Sequence, residues 1–209
     1  VDENDRQLIL NSLSKVMAER IKTQEFLYEA VKLFSSRLFA ALEHTLNGMA
    51  TMGIPGIGKH RRLVHPAGGG LEGFQIFIED WSIIFVPLLG FARPNSADEA
   101  RIPSVQFKEE CARIAVFLTD TPQGSAFYDI LIFQDHSWFA WGYGWPKQQS
   151  DIESTDFDAL ALELVDSFAK DIFVTWHPRD ETILSTALDT KRRCFAFGLP
   201  GEDLQLPAG

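Results

Sequence analysis

The chain has 209 residues, of which 45% are hydrophobic and 12% aromatic, and a formal net charge of −10. That length and apolar content exclude a disordered chain and suffice for a sizeable core. The charge is uneven: residues 1–62 carry nine Lys/Arg against seven Asp/Glu, and residues 63–209 carry ten against twenty-two. An acidic body of this kind repels phosphate backbones, which disfavours nucleic acid and anionic membranes as partners.

From about Asp5 to Met49 the chain has no proline, and its only glycine is Gly48. Leu10, Leu13, Met17, Ile21, Leu27, Val31, Phe34, Leu38, Leu42 and Leu46 recur at steps of three, four and their sums, which places them on one helical stripe. Asp2 or Asn4 can cap the start, and Gly48, Gly53 and Pro55 stop the helix. A single helix here would be longer than a domain of this size is wide. Two arrangements stay open: a break near Ser35-Ser36, giving two angled or antiparallel helices, or one long dimerising helix whose projecting part needs a partner.

Residues 53–73 read as a Gly/Pro connector, with Gly53, Pro55, Gly56, Gly58, Pro66 and Gly68-Gly69-Gly70. The division expected is an N-terminal helical segment at 1–52, this connector at 53–73, and an antiparallel sheet with a C-terminal helix at 74–209, together one compact domain. After the connector the period changes to two. Strands are predicted at Phe74–Glu79, Trp81–Leu88, Arg113–Thr119, Phe127–Gln134 and Ser137–Trp145, and short connections require antiparallel pairing. Apolar residues on both faces of several strands predict that both faces are covered, with the helices as the cover. A second helix begins at Thr155 or Asp156 and buries Phe157, Leu160, Leu164, Val165, Phe168, Ile172 and Trp176, ending before Pro178. A short helix near Glu181–Leu188 and a last strand near Arg193–Phe197 complete the reading. The fold class is α+β: a long N-terminal helical segment, a five- to six-stranded antiparallel sheet, and a C-terminal helix packed on it.

Gly53 to Lys59 has the spacing of a phosphate-binding loop, but His60 stands where a magnesium-binding Ser/Thr belongs and no strand precedes it. A linker is the reading preferred. Lys59, His60, Arg61, Arg62 and His65 form a basic cluster that either neutralises the protein's own carboxylates or meets an acidic or phosphorylated partner. Asp135-His136-Ser137 holds the residue types of a hydrolase triad, yet neighbours in a turn point in different directions, so turn chemistry accounts for them. Asp129 interrupts an apolar strand and, if buried, requires a charge partner or hydrogen-bond donors; an edge-strand position or a structural salt bridge is the reading preferred. The histidines show no zinc spacing, and no metal or cofactor is expected.

The most distinctive segment is Trp138–Trp145. Phe139, Trp141, Tyr143 and Trp145 share one face, and Trp138, Ala140, Gly142 and Gly144 share the other. The ring-rich face serves a core under a helix, a protein partner or a ligand. Cys111 and Cys194 make no CxxC, and a reduced, cytoplasmic pair is the simpler reading. The first residues lack the pattern of a signal peptide. The longest apolar run, Trp81 to Ala92, is too short to span a bilayer, so no membrane is expected.

The function expected is that of a non-catalytic interaction or regulatory protein acting by self-association or within a complex. Its candidate contacts are Phe139, Trp141, Tyr143, Trp145, Lys59, Arg61 and Arg62. The alternatives are a small-ligand sensor with a pocket between sheet and helix, and a hydrolase with sequence-distant carboxylates and histidines.

Overall fold

The computed structural model describes residues 3–64, 71–79, 81–92, 111–117, 126, 128–142 and 148–170. Helix α1 runs unbroken from Glu3 to Thr51, which at 1.5 Å per residue is about 73 Å. The Ser35-Ser36 pair does not break it. Ser35 is buried, and its hydroxyl donates to the carbonyl of Lys32 at 3.2 Å, so the side chain is satisfied within the helix itself. Beyond Thr51 the chain turns in a Schellman arrangement. The amide of Ile54 donates to Met49 and that of Gly53 to Ala50, while Gly53 takes the left-handed φ of 73° that an L side chain would resist.

Seven strands follow: β1 Ile57–Val64, β2 Glu72–Ile78, β3 Trp81–Ala92, β4 Cys111–Phe117, β5 Tyr128–Ile132, β6 Ser137–Gly142 and β7 Gln148–Asp151. They form one sheet in the order of the chain, each antiparallel to its neighbour. The sheet has one or two strands more than the five to six read from sequence. The connector assigned to residues 53–73 contains β1, so that assignment is corrected. Backbone pairing of Arg61 with Gln75 and of Arg62 with Phe74 makes the segment a strand despite its basic side chains and glycines. Strand β7 was missed because Gln148-Gln149-Ser150-Asp151 carries no apolar alternation. Pro87, in β3, pairs with Ile114 of β4 but lies past the last β2 partner, Phe74, where its missing N–H leaves no gap in that ladder.

Helix α2, Phe157–Lys170, begins where the sequence placed it. The carboxylate of Asp156 accepts from the amide of Ala159 at 3.0 Å, an N-cap bond. Both helices pack on one face of the sheet. There Leu27, Val31, Phe34, Leu38, Leu42 and Leu46 of α1 and Leu160, Leu164 and Phe168 of α2 meet Phe74, Ile76, Phe85, Ile114, Tyr128, Ile130 and Trp138 in a single core. Phe39 stacks on Phe74 at 5.3 Å, and Phe34 meets Trp138 and Phe157 edge-on at 5.2 and 5.1 Å. The indole N–H of Trp138 donates to the hydroxyl of Thr155 at 2.6 Å, so the largest buried ring keeps its polar edge satisfied.

The opposite face is buried too, through Ile84, Val86, Leu88, Ala115, Phe117 and Ala126. Two-sided burial is as read from sequence, but α1 and α2 account for one face only. The predicted short helix at Glu181–Leu188, the strand at Arg193–Phe197 and the end of the second helix at Ile172 and Trp176 lie outside the described residues.

Candidate protein-interaction surface

The stripe of α1 divides into two stretches with different surroundings. From Leu27 onward it is covered by the sheet, whereas every residue from Asn4 to Lys22 is exposed. Leu8, Ile9, Leu10, Leu13, Val16, Met17 and Ile21 are all about half exposed or more, from 48% at Met17 to 68% at Leu8. Leu10, Leu13, Met17 and Ile21 continue the phase of Leu27, Val31, Leu38 and Leu42, so the open stripe lies on the same side of the helix as the sheet. The apolar face simply outruns its cover.

The junction is marked by Phe26, 43% exposed, whose ring stacks on His136 from the turn between β5 and β6. Beside it a groove of about 460 Å³ is lined by Lys22, Thr23, Glu25, Phe26, Glu29 and Gln134. His136 holds a left-handed φ of 64° in this turn. Asp135 accepts from both the amide and the hydroxyl of Ser137, at 2.9 and 2.5 Å, which holds its carboxyl below the usual range. Ser137 is bound to Asp135, and His136 is turned onto Phe26.

The basic cluster is divided by strand alternation. Arg62 faces α1 and bridges Glu43 at 3.0 Å and Glu72 at 3.1 Å, and its hydrogen bond lowers the pKa of Glu43. His60 stands 3.8 Å from the same Glu43 and stacks on Phe74 at 5.6 Å. Arg61 points to the other face, donating to Gln75 at 2.6 Å with its guanidinium over Phe77. Lys59 is exposed at the head of the edge strand. These residues therefore form no single anion site, and Arg62 neutralises the protein's own carboxylates.

Of the ring-rich face, Phe139 is buried, paired with Leu131 on the side of the sheet away from both helices. Trp138 is the ring that packs under the helices. Trp141 pairs with Asp129 in the backbone ladder, while Tyr143 and Trp145 lie outside the described residues. On the same face as Phe139, Asp129 forms an ion pair with Arg113 at 2.6 Å with both side chains buried. The charge partner that a carboxylate in an apolar strand requires is supplied by the diagonal position on β4. Burial also raises the pKa of the Tyr128 hydroxyl on the helix side.

Among the described residues there is no cluster of His, Cys, Asp and Glu that could hold a metal ion, and no helix is long and apolar enough to cross a membrane. Cys111 is fully buried. A second cavity, of about 450 Å³, lies between the end of α1, the start of β1 and α2, where Met49, Ile54, Ile57, Leu162 and Val165 line it.

Among the described residues, fold and surface together define an α+β protein in which a seven-stranded antiparallel meander carries two helices on one face, the longer of them projecting past the sheet. Comparison with protein-family models, curated proteins and solved structures finds no match to this chain.

Proposed function

We propose that this chain is a non-catalytic interaction protein that works as a member of an assembly, joined through the exposed half of α1. The observation that carries this reading is the row of large apolar side chains Leu10, Leu13, Met17 and Ile21, continuous in phase with a buried stripe yet open to water. Monomeric proteins rarely expose contiguous apolar patches above a few hundred Å². Most helical stability in proteins comes from packing of an amphipathic face, so tertiary or quaternary cover is what normally stabilises such a segment. The test is the size of the protein in extracts of its own cells. Migration well above the 23.5 kDa of the chain, lost in a Leu13→Glu, Met17→Glu variant, is the expected outcome. Migration as a 23.5 kDa particle in both forms removes the reading.

A second reading, ligand sensing, draws on the apolar cavity at Met49, Ile57, Leu162 and Val165. It expects a rise in thermal midpoint with a small apolar ligand that Val165→Trp abolishes; indifference across an apolar ligand panel counts against it.

A further inference from the structure

We propose that the exposed half of α1 pairs with the same segment of a second copy, antiparallel, so that each helix fills the place the other copy's sheet leaves empty. This rests on the interaction reading above and names the partner.

The first constraint is steric. The open stripe and the sheet lie on the same side of α1, because Leu10, Leu13, Met17 and Ile21 are in phase with the buried Leu27, Val31, Leu38 and Leu42. A parallel pair joined along this stripe would direct both sheets into the same space between the helices. An antiparallel pair places the two sheets at opposite ends, one beyond each helix terminus. Only the second arrangement leaves room for both.

The second constraint is register. Cover by the sheet begins at Leu27 and the helix begins at Glu3, so two antiparallel copies can overlap only across residues 3 to 26. The middle of that span is near residue 15. The apolar side chains are centred there as well: with the two-fold axis at the level of residue 15, Leu13 of one copy meets Met17 of the other, and Ile9 meets Ile21. The length of free helix is a property of the fold, and the spacing of the side chains is a property of the sequence. Both select the same alignment. The first turn of each copy then reaches the groove at Lys22, Thr23, Glu25, Phe26, Glu29 and Gln134.

Charge supports the same choice. Arg6 and Arg20 lie on the stripe itself. Parallel pairing would set each against its own copy along the seam, where like charges are desolvated together. Antiparallel pairing brings Arg6 to Gln24 and the neighbouring Glu25, and lays the stem of Arg20 along Leu10. Leu10, Leu13, Met17 and Ile21 of each copy, all about half exposed, supply the apolar surface of the seam.

The experiment is sedimentation of the purified full chain at about 50 μM, together with disulfide trapping. The expected mass is twice 23.5 kDa, and Leu13→Glu with Met17→Glu weakens dimerisation about 100-fold or more. Residues 13 and 17 are exposed, so the variant retains the near-ultraviolet circular dichroism of the folded sheet. For orientation, Leu13→Cys and Met17→Cys are made separately and mixed. Linked dimers that form in the mixture and not in either variant alone support the antiparallel pair; linkage of Leu13→Cys to itself overturns it. A purified monomer at this concentration overturns self-pairing outright. If such a monomer still migrates in a large, Leu13-dependent particle in extracts, the interaction reading survives and only the identity of the partner falls.

Discussion

The ring of Phe26 stacks on the imidazole of His136 with centroids 5.1 Å apart and planes 24° from parallel. This contact fastens α1 to the β5–β6 turn at the point where the helix leaves the sheet, and it sits on the boundary between the covered and uncovered halves of the stripe. Replacing Phe26 with Ala is expected to cost about 1 kcal/mol. His136→Ala removes the same stack, so the double variant loses less than the sum of the two singles. Urea denaturation of the four proteins measures the coupling, and strict additivity would deny the contact.

In a monomeric variant carrying Leu13→Glu and Met17→Glu, stability is expected to differ sharply along α1. Backbone amides between about Leu8 and Lys22 exchange rapidly, because that stretch has no tertiary cover among the described residues, whereas those from Val31 to Leu46 stay protected by the core. Native-state hydrogen exchange reads this directly. Equal protection in both halves would be inconsistent with the difference in burial.

The Arg113–Asp129 pair is buried on the face away from the helices. Removing one charge leaves the other in an apolar setting, so Asp129→Ala is expected to lose about 3–5 kcal/mol. Replacing both, as Arg113→Met with Asp129→Leu, recovers most of that loss. The denaturation midpoint decides between this and a pair that matters only through its hydrogen bonds.

Thr155→Val retains the volume of the side chain but removes the acceptor for the Trp138 indole N–H. The orphaned donor is buried, and the expected cost is about 1–3 kcal/mol. Trp138→Phe in the Thr155→Val background then loses only ring volume. A Thr155→Val protein as stable as the wild type would show that the 2.6 Å bond contributes nothing.

Glu43, hydrogen-bonded to Arg62, and Asp135, hydrogen-bonded to Ser137, both have lowered pKa values. A carboxyl whose pKa is depressed on folding adds stability above its unfolded pKa, and that stability fades as pH falls through the folded value. The thermal midpoint should therefore decline as pH is lowered below about 5, past the ordinary Glu and Asp range. Glu43→Gln and Asp135→Asn should each flatten the decline, and high salt should weaken the Glu43 contribution, since that pair is partly exposed. A decline unchanged in both variants would place its origin elsewhere.

Much of this architecture was legible in the residues. The change of period from the Leu10–Leu46 stripe to alternation after Gly70 separated the helix from the sheet, and Asp156 announced α2. Asp129 in an apolar strand was legible as needing a charge partner, hydrogen-bond donors or an edge position, and the structure supplies the first in Arg113. What misled was chemistry that looked local. Gly53 to Val64 reads as a linker because glycines and basic side chains are poor strand formers, yet β2 offers it a hydrogen-bonding edge. Lys59, Arg61 and Arg62 read as one cluster because they are neighbours in sequence, and the pleat sends Arg61 and Arg62 to opposite faces.

Hydrophobic spacing is a short-range property, and so the chain by itself determined that residues 5–49 would present one apolar side and that the residues beyond would pair as antiparallel strands. It could not determine how far along that side the cover would reach. That limit is set by the width of the sheet and by the turn holding His136 against Phe26, contacts more than a hundred residues apart in sequence. Tertiary packing alone decided that Leu27 to Leu46 became core while Leu8 to Ile21 stayed open to water, although both stretches carry the same pattern.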